Sequence, residues 1–120
     1  MRKTVVVLGA SPDETRYSHK AVRKLKQNGF DVVAIGAREG QIEDVPIQTE
    51  KVVPASVYAV TLYLNPALQK QYYDYILGLN PAFIFYNYGT ENDELKNLAQ
   101  AKGIENREGC TLIELSLGRF

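Results

Sequence analysis

Two runs of β-branched residues near the start of the chain each end in a glycine. Residues 4–9 read TVVVLG and residues 31–36 read DVVAIG. Such continuous apolar runs predict strands that are buried on both faces of a parallel sheet. Between them, residues 17–28 place Ala21, Val22 and Leu25 on one side of a helix that is expected to end at Gly29. The three segments therefore predict a right-handed βαβ unit.

The middle of the chain is less regular before the pattern resumes. Residues 37–55 include Pro46 and Pro54, which predict a short edge element and a loop. Residues 56–64 then read as a strand, and Asn65 followed by Pro66 is typical of a helix start. We expect this helix to bury five of its side chains, those of Leu68, Tyr72, Tyr75, Ile76 and Leu79.

The last third of the chain continues the alternation. Residues 81–86 (PAFIFY) predict a strand, and residues 92–102 predict a helix that ends at Gly103. A last short strand is expected over residues 104–106, and a closing helical turn over residues 111–117.

This alternation predicts an α/β fold, a Rossmann-like, doubly wound, mostly parallel sheet of about five strands in the order 3-2-1-4-5. At 120 residues, we expect one domain over residues 1–120. Ligands of such sheets bind beyond the carboxyl ends of the strands, where the winding reverses. Here that crevice is expected where the loop after Gly9 faces the loop after Leu64.

Composition narrows the classes of function. No apolar run approaches the ~20 residues that cross a bilayer, and Met1 is followed by a strand-like segment, so we expect a cytoplasmic protein without membrane contact. One cysteine and one histidine predict neither an internal disulfide nor a structural zinc site. Residues 1–38 carry eight Lys and Arg against three Asp and Glu, whereas residues 39–120 carry six against eleven. This distribution favours a small anionic ligand over nucleic acid, which selects a basic domain.

The loop after the first strand suits a phosphate. In the loop Gly9-Ala10-Ser11, Gly9 allows close backbone approach, Ser11 supplies a hydroxyl, and the following helix offers unpaired N–H groups. Neither the Gly-x-Gly-x-x-Gly fingerprint nor a Walker lysine is present. The alternative is that Gly9 only turns the chain and Ser11 only caps it.

Two further segments offer cations to the same crevice. Gly36, Ala37 and Arg38 follow the second strand, where NAD-binding domains usually place an acid, so Arg38 suits a nucleotide with an additional ribose phosphate, NADP or coenzyme A. The alternative is an exposed arginine beside Glu39.

The segment Arg16-Tyr17-Ser18 lies at the start of the first helix, where Arg16 can reach a pyrophosphate and Ser18 can assist. The alternative is a solvated Arg16 that pairs with Asp13 or Glu14.

No catalytic constellation is evident. His19 has no nucleophile paired with it by motif and is interpreted as a surface residue without a role. Cys110 is interpreted as a small, buried, apolar side chain. The sequence therefore predicts neither catalytic residues nor a metal site.

Five segments together resemble a known family. They are residues 7–11 (VLGAS), 16–18 (RYS), 63–66 (YLNP), 87–92 (NYGTEN) and 109–114 (GCTLIE). In their order and spacing the chain resembles the small stand-alone CoA-binding proteins, which are similar to the CoA-binding domain of succinyl-CoA synthetase α subunits. One departure is that Gly36-Ala37-Arg38 stands where relatives commonly have Asn-Pro.

The resemblance implies which residues hold the cofactor. The Gly-x-Ser loop and the helix start would hold the CoA diphosphate, the end of the second strand would face the adenosine, and two later strand-end loops would flank the cofactor. The implied positions are Gly9, Ala10, Ser11, Arg16, Tyr17, Ser18, Gly36, Ala37, Arg38, Leu64, Asn65, Asn87 and Gly89.

The expected function is binding of CoA or an acyl-CoA without covalent chemistry, as a carrier, a sensor or an accessory subunit. The synthetase's phosphorylated histidine and its ATP-grasp partner belong to domains that this sequence lacks, so catalysis is not implied. Two alternatives remain open. One is an NADP-binding redox protein or sensor; the other is a structural protein that has lost its ligand, with Tyr58, Tyr73 and Phe120 on an oligomer surface.

Overall fold

A computed structural model describes residues 2–120, whose strands form a single seven-stranded sheet. In chain order the elements are β1 Thr4–Leu8, α1 Tyr17–Gln27, β2 Asp31–Ile35, β3 Gly40–Ile42, β4 Val45–Gln48, β5 Ala59–Leu62, α2 Pro66–Gln69, a 3-10 turn Lys70–Tyr72, α3 Tyr73–Leu79, β6 Phe83–Asn87, α4 Asp93–Ala101, β7 Glu105–Gly109 and α5 Thr111–Ser116.

The sheet is mostly parallel, as predicted, but the predicted strand count and order are wrong. Its order is β3-β4-β2-β1-β5-β6-β7, and only β3 runs antiparallel to its neighbour. The difference arises in residues 37–55, which form a β-hairpin rather than one edge element. Ile42, Val45 and Ile47 of this hairpin are buried and alternate with more exposed residues. This short alternation of buried and exposed positions forms two strands where the prolines predicted one edge element and a loop.

The central strand separates two hydrophobic layers. Val5 and Val7 pack on the face covered by α1 and α5, whereas Val6 and Leu8 pack on the face covered by α3 and α4. All four side chains are fully buried. Burial on both faces explains why β1 is an unbroken apolar run.

The predicted helix after Asn65 begins as expected but is interrupted. Asn65 caps α2, yet the chain passes through the 3-10 turn before α3 begins. Leu68, predicted to be buried, is half exposed, and Gln69 is fully buried in its place. The Gln69 amide donates to the carbonyl oxygens of Leu64 and Thr90, both at 2.8 Å. These hydrogen bonds bury Gln69 and turn Leu68 outward.

Two of the aromatic residues considered for an oligomer surface pack inside the fold. The Tyr58 ring meets that of Phe83 edge-on with centroids 5.1 Å apart, and Phe120 meets Phe83 at 5.3 Å. The Tyr58 hydroxyl donates to the Phe120 carbonyl oxygen. Tyr73, also considered, accepts a hydrogen bond from Asn92. Internal packing and hydrogen bonding therefore account for Tyr58, Tyr73 and Phe120.

Within residues 2–120, no helix has both the length and the apolar character needed to span a membrane.

The loop after β1 rests directly on the end of β2. The N–H groups of Gly9 and Ala10 both donate to the Ile35 carbonyl oxygen, at 2.8 and 2.9 Å. A Cβ atom on Gly36 would overlap the Ala10 carbonyl oxygen. Glycine at this position is therefore needed for close contact between two backbones.

We expect Gly36→Ala to lower the free energy of unfolding by about 2–3 kcal/mol, because the loop after β1 must move to admit the methyl group. Gly78→Ala is the matched control, since no atom lies within 4 Å of a Cβ atom built there. In α3 this control should raise stability by about 0.5–1 kcal/mol. Urea unfolding of both variants measures the difference, and equal stabilities would contradict the close contact.

Candidate functional site

A cleft of about 580 Å³ lies at the carboxyl ends of β1 and β5, where the crevice is predicted. The sheet order places these two strands side by side, so the loops that follow them face each other. Its lining residues are Gly9, Ala10, Ser11, Thr15, Arg16, Tyr17, Ser18, Ala37, Tyr63, Leu64 and Tyr88.

Gly9 forms part of the cleft at a position that only glycine accommodates. Its φ is +93°, and a Cβ atom there would lie 2.9 Å from the Tyr63 carbonyl carbon. A side chain at this position would be both strained and crowded. The Gly9 and Ala10 amides are already bound to Ile35, so they shape the cleft rather than offer hydrogen bonds to a ligand.

The free amides lie at the start of α1. Asn65 and Asn92 cap α2 and α4 by accepting a hydrogen bond from the N–H three residues on. At α1, in contrast, the N-cap residue is Arg16; no described side chain caps the helix, and its first turn holds no acid. Tyr17 and Ser18 of this first turn lie on the cleft wall. The cleft thus receives unsatisfied N–H groups and the positive end of the helix dipole.

The side chains around these amides complement an anion. Arg16 is the only cation of the lining, no carboxylate belongs to it, and Arg16 joins no ion pair within residues 2–120. The Ser11 hydroxyl oxygen accepts from the Asp13 amide at 3.1 Å, which leaves its own proton available. Asp13, outside the lining, accepts hydrogen bonds from the Thr15 amide and hydroxyl, which hold its pKa below the ordinary value.

His19 is buried, so its interpretation as a surface residue is wrong. It is 5% exposed, and its Nδ1 lies 3.1 Å from the Ser11 carbonyl oxygen. The ring therefore fixes the loop after β1 to the first turn of α1, which makes His19 a positioning residue.

Asn87, beside the cleft, connects the ends of β5 and β6 to the start of α5. Its Nδ2 donates to the Thr61 hydroxyl at 2.7 Å and to the Leu62 carbonyl oxygen at 2.9 Å. Its Oδ1 accepts from the Thr111 amide and hydroxyl at 2.9 and 3.0 Å. Asn87 is 5% exposed, and both protons and both oxygen lone pairs of its side-chain amide are used within the protein.

A second pocket, of about 460 Å³, adjoins the cleft on the β6 and β7 side. Tyr17, Tyr63 and Tyr88 line both spaces. We call it the tyrosine-rimmed pocket, and its lining residues are Tyr17, Tyr63, Asn87, Tyr88, Gly109, Cys110, Leu112 and Ile113. Burial raises the pKa of the Tyr63 hydroxyl above its ordinary value, so that group stays neutral at physiological pH.

Residues 3–116 match a family model described as a CoA binding domain. The chain belongs to this family of CoA-binding domains. The match covers nearly all of the chain, and it confirms the resemblance drawn from the five sequence segments.

Solved structures share the fold of this CoA-binding domain. A crystal structure of an uncharacterized protein is 40% identical, with a TM-score of 0.95, and the match covers 100% of this chain and 99% of that one. A Thermus thermophilus protein, cell-free ID.343, is 20% identical, with a TM-score of 0.86 over 99% and 91% of the two chains. A hypothetical protein from Pyrococcus horikoshii OT3 is also 20% identical, with a TM-score of 0.86 over 97% and 83%. No protein of curated function matches the sequence.

Most of the residues predicted for the CoA-binding domain meet in the cleft. They are Gly9, Ala10, Ser11, Arg16, Tyr17, Ser18, Ala37 and Leu64. Asn87 lies instead in the wall of the tyrosine-rimmed pocket.

Four predicted residues lie outside the lining of both spaces. Gly36 is buried against the loop after β1, and Arg38 is exposed beyond β2. Asn65 caps α2, and the Gly89 amide donates to the Glu91 carboxylate at 2.8 Å. Their contact with a ligand stays a prediction.

Sequence reasoning missed the aromatic part of the site. Tyr63, Tyr88, Leu112 and Ile113 received no individual role, and Cys110, interpreted as a buried apolar side chain, is instead half-buried in the pocket wall. The available signal was position, because Tyr63 closely follows β5, Tyr88 directly follows β6 and Cys110 directly follows β7. Parallel strands bring these residues to one edge of the sheet.

We expect Asn87→Asp to lower the free energy of unfolding by about 2–4 kcal/mol at neutral pH, because a carboxylate oxygen would face the Leu62 carbonyl oxygen. Burial should raise the folded-state pKa of this new acid above the roughly 3.9 of an unfolded chain. The loss should therefore grow as the pH rises from about 4 toward the folded pKa, and shrink on acidification.

Asn65→Asp is the matched control for this measurement. It keeps the oxygen that accepts from the Leu68 amide and adds a favourable charge at the start of α2. Urea unfolding from pH 4 to pH 7 should show no loss for it. A comparable loss at both positions would contradict the assigned role of Asn87.

Proposed function

We propose that this chain binds coenzyme A, free or as a thioester, in the cleft between the ends of β1 and β5. The observation that carries the proposal is the start of α1, where no described side chain caps the helix and the first turn holds no acid. A diphosphate there would receive N–H hydrogen bonds and the helix dipole. Membership of the family of CoA-binding domains supports the same ligand.

The residues present fit the chemistry of a diphosphate. Arg16 supplies a positive charge, Ser11 and Ser18 supply hydroxyls, and the lining is free of carboxylates among the described residues. Tyr17 and Tyr88 are 67% and 74% exposed, so their faces are available to the uncharged part of the ligand.

The proposed role is binding without covalent chemistry, as a carrier, a sensor or an accessory subunit in the cytoplasm. Supporting this, the His19 ring is engaged by the Ser11 carbonyl oxygen rather than paired with a nucleophile. The Asn87 amide is likewise engaged within the fold. A partner enzyme would then carry out any reaction of the bound thioester.

Replacement of Tyr17 tests whether the uncapped start of α1 binds the diphosphate. Tyr17→Asp places a carboxylate in the first turn of α1, where it should not destabilise the helix but should repel a diphosphate. Tyr17→Asn removes the same ring without adding charge. By calorimetric titration with CoA, we expect the Asp variant to bind more weakly than the Asn variant by about tenfold or more.

The same titration with NADP and NAD distinguishes CoA binding from the alternative, an NADP-binding redox protein or sensor. Binding of CoA should exceed binding of either dinucleotide in the unsubstituted protein. Binding of NADP alone would overturn the proposal. Equal CoA affinities of the two Tyr17 variants, with unchanged melting temperatures, would also overturn it.

Arg38 provides a test of the adenosine side. If Arg38 pairs with the 3′-phosphate of CoA, Arg38→Ala should weaken CoA binding by about tenfold, the loss expected for a charge-assisted hydrogen bond. Dephospho-CoA, which lacks this phosphate, should bind both proteins equally. Arg23→Ala serves as the control, because Arg23 lies on α1 and pairs with Glu43. Equal losses for CoA and dephospho-CoA would contradict the contact with the 3′-phosphate, and an unchanged CoA affinity would remove Arg38 from the site.

A further inference from the structure

We propose that the tyrosine-rimmed pocket holds the acyl chain of a CoA thioester and selects uncharged aliphatic chains over acidic ones. The inference rests on the proposed function, because it assumes that CoA occupies the adjoining cleft. It adds the substrate class, which membership of the family leaves open.

The topology places the pocket in line with the cleft. Along the sheet order, Ala37 follows β2, Gly9 follows β1, Tyr63 closely follows β5, Tyr88 follows β6 and Cys110 follows β7. Cleft and pocket therefore form one path across five neighbouring strand ends, joined by three shared tyrosines. A long ligand with its diphosphate at α1 and its adenosine toward β2 would extend its thioester end toward β6 and β7.

The pocket wall offers no charge to an acidic acyl group. Among the described residues that line it, none is a lysine, arginine, histidine, aspartate or glutamate. The Asn87 amide is committed to Thr61, Leu62 and Thr111. Since no described side chain of the wall carries a positive charge, a carboxylate placed here would lose water without gaining a counter-charge.

The rim of the pocket carries apolar surface in contact with water. Tyr17, Tyr88 and Ile113 are among the exposed large hydrophobic residues of the chain, at 67%, 74% and 52%. All three line this one pocket. An aliphatic chain laid between them would bury apolar surface on both partners, which favours binding.

The test compares four ligands by calorimetric titration, with a reductant that keeps Cys110 as a thiol. CoA, butanoyl-CoA, hexanoyl-CoA and succinyl-CoA form the set, and butanoyl and succinyl groups have equal chain lengths. Each buried methylene should tighten binding by about fourfold, so hexanoyl-CoA should exceed CoA by about tenfold or more. Succinyl-CoA should bind more weakly than butanoyl-CoA by about tenfold.

Substitutions on α5 assign the selectivity to the pocket. Ile113→Asp should bring the ratio of hexanoyl-CoA to CoA affinity down to about one. Leu117→Asp is the control, because Leu117 is 57% exposed at the end of the same helix and lies outside the pocket lining, so its ratio should equal that of the unsubstituted protein. Ile113→Lys should reverse the preference and tighten succinyl-CoA binding by about fivefold or more.

The outcomes separate this inference from the proposed function. Equal binding of CoA, hexanoyl-CoA and succinyl-CoA would overturn the acyl pocket and leave the CoA site standing. If both Ile113 variants fold and still prefer hexanoyl-CoA, the acyl chain lies outside this pocket, and the inference is overturned. Failure of all four ligands to bind would overturn the proposed function and the inference together.

Discussion

Direct contact between the backbone of the loop after β1 and the backbone at the end of β2 positions the residues around the cleft. The Ile35 carbonyl oxygen accepts the amides of both Gly9 and Ala10, and Gly36 provides the space in which the loop after β1 can rest. The loop is thereby fixed to the neighbouring strand. From this fixed point the chain enters α1 with its first turn facing the cleft. The placement of the helix start therefore depends on these backbone hydrogen bonds, together with the contact of the His19 ring with the Ser11 carbonyl oxygen.

The same arrangement divides the amides between fold and ligand. The amides of Gly9 and Ala10 donate hydrogen bonds within the protein, to the Ile35 carbonyl oxygen. The amides in the first turn of α1 have no capping side chain to accept from them. α2 and α4 satisfy this need with an asparagine cap, whereas α3 and α5 lack a capping side chain but carry an acid in the first turn. A helix start without a cap costs stability, and a bound anion would recover it. Such a cost is typical of a position kept for binding.

The sequence predicted those parts of the molecule that depend on local pattern. The strands at β1 and β2 and the helix between them follow from burial of continuous apolar segments. The hairpin of β3 and β4 was missed because strands of three and four residues show too little alternation to outweigh Pro46. The buried position of His19 was misjudged, and that of Gln69 was overlooked, for another reason: each side chain contacts a carbonyl oxygen outside its own helix, at Ser11 and Thr90 respectively. Walls built from several strand ends, such as the tyrosine-rimmed pocket, are visible only once the strand order is known.

The two outer strands of the sheet differ from its centre, with a consequence for how copies of the chain coexist at high concentration. At one margin β3 spans only three residues, and at the other β7 carries Glu105, Arg107 and Glu108. A strand from another molecule docking on β7 would have to strip water from these charges, and on β3 it would find little backbone to bond. Both margins thereby oppose the edge-to-edge association through which exposed sheets aggregate.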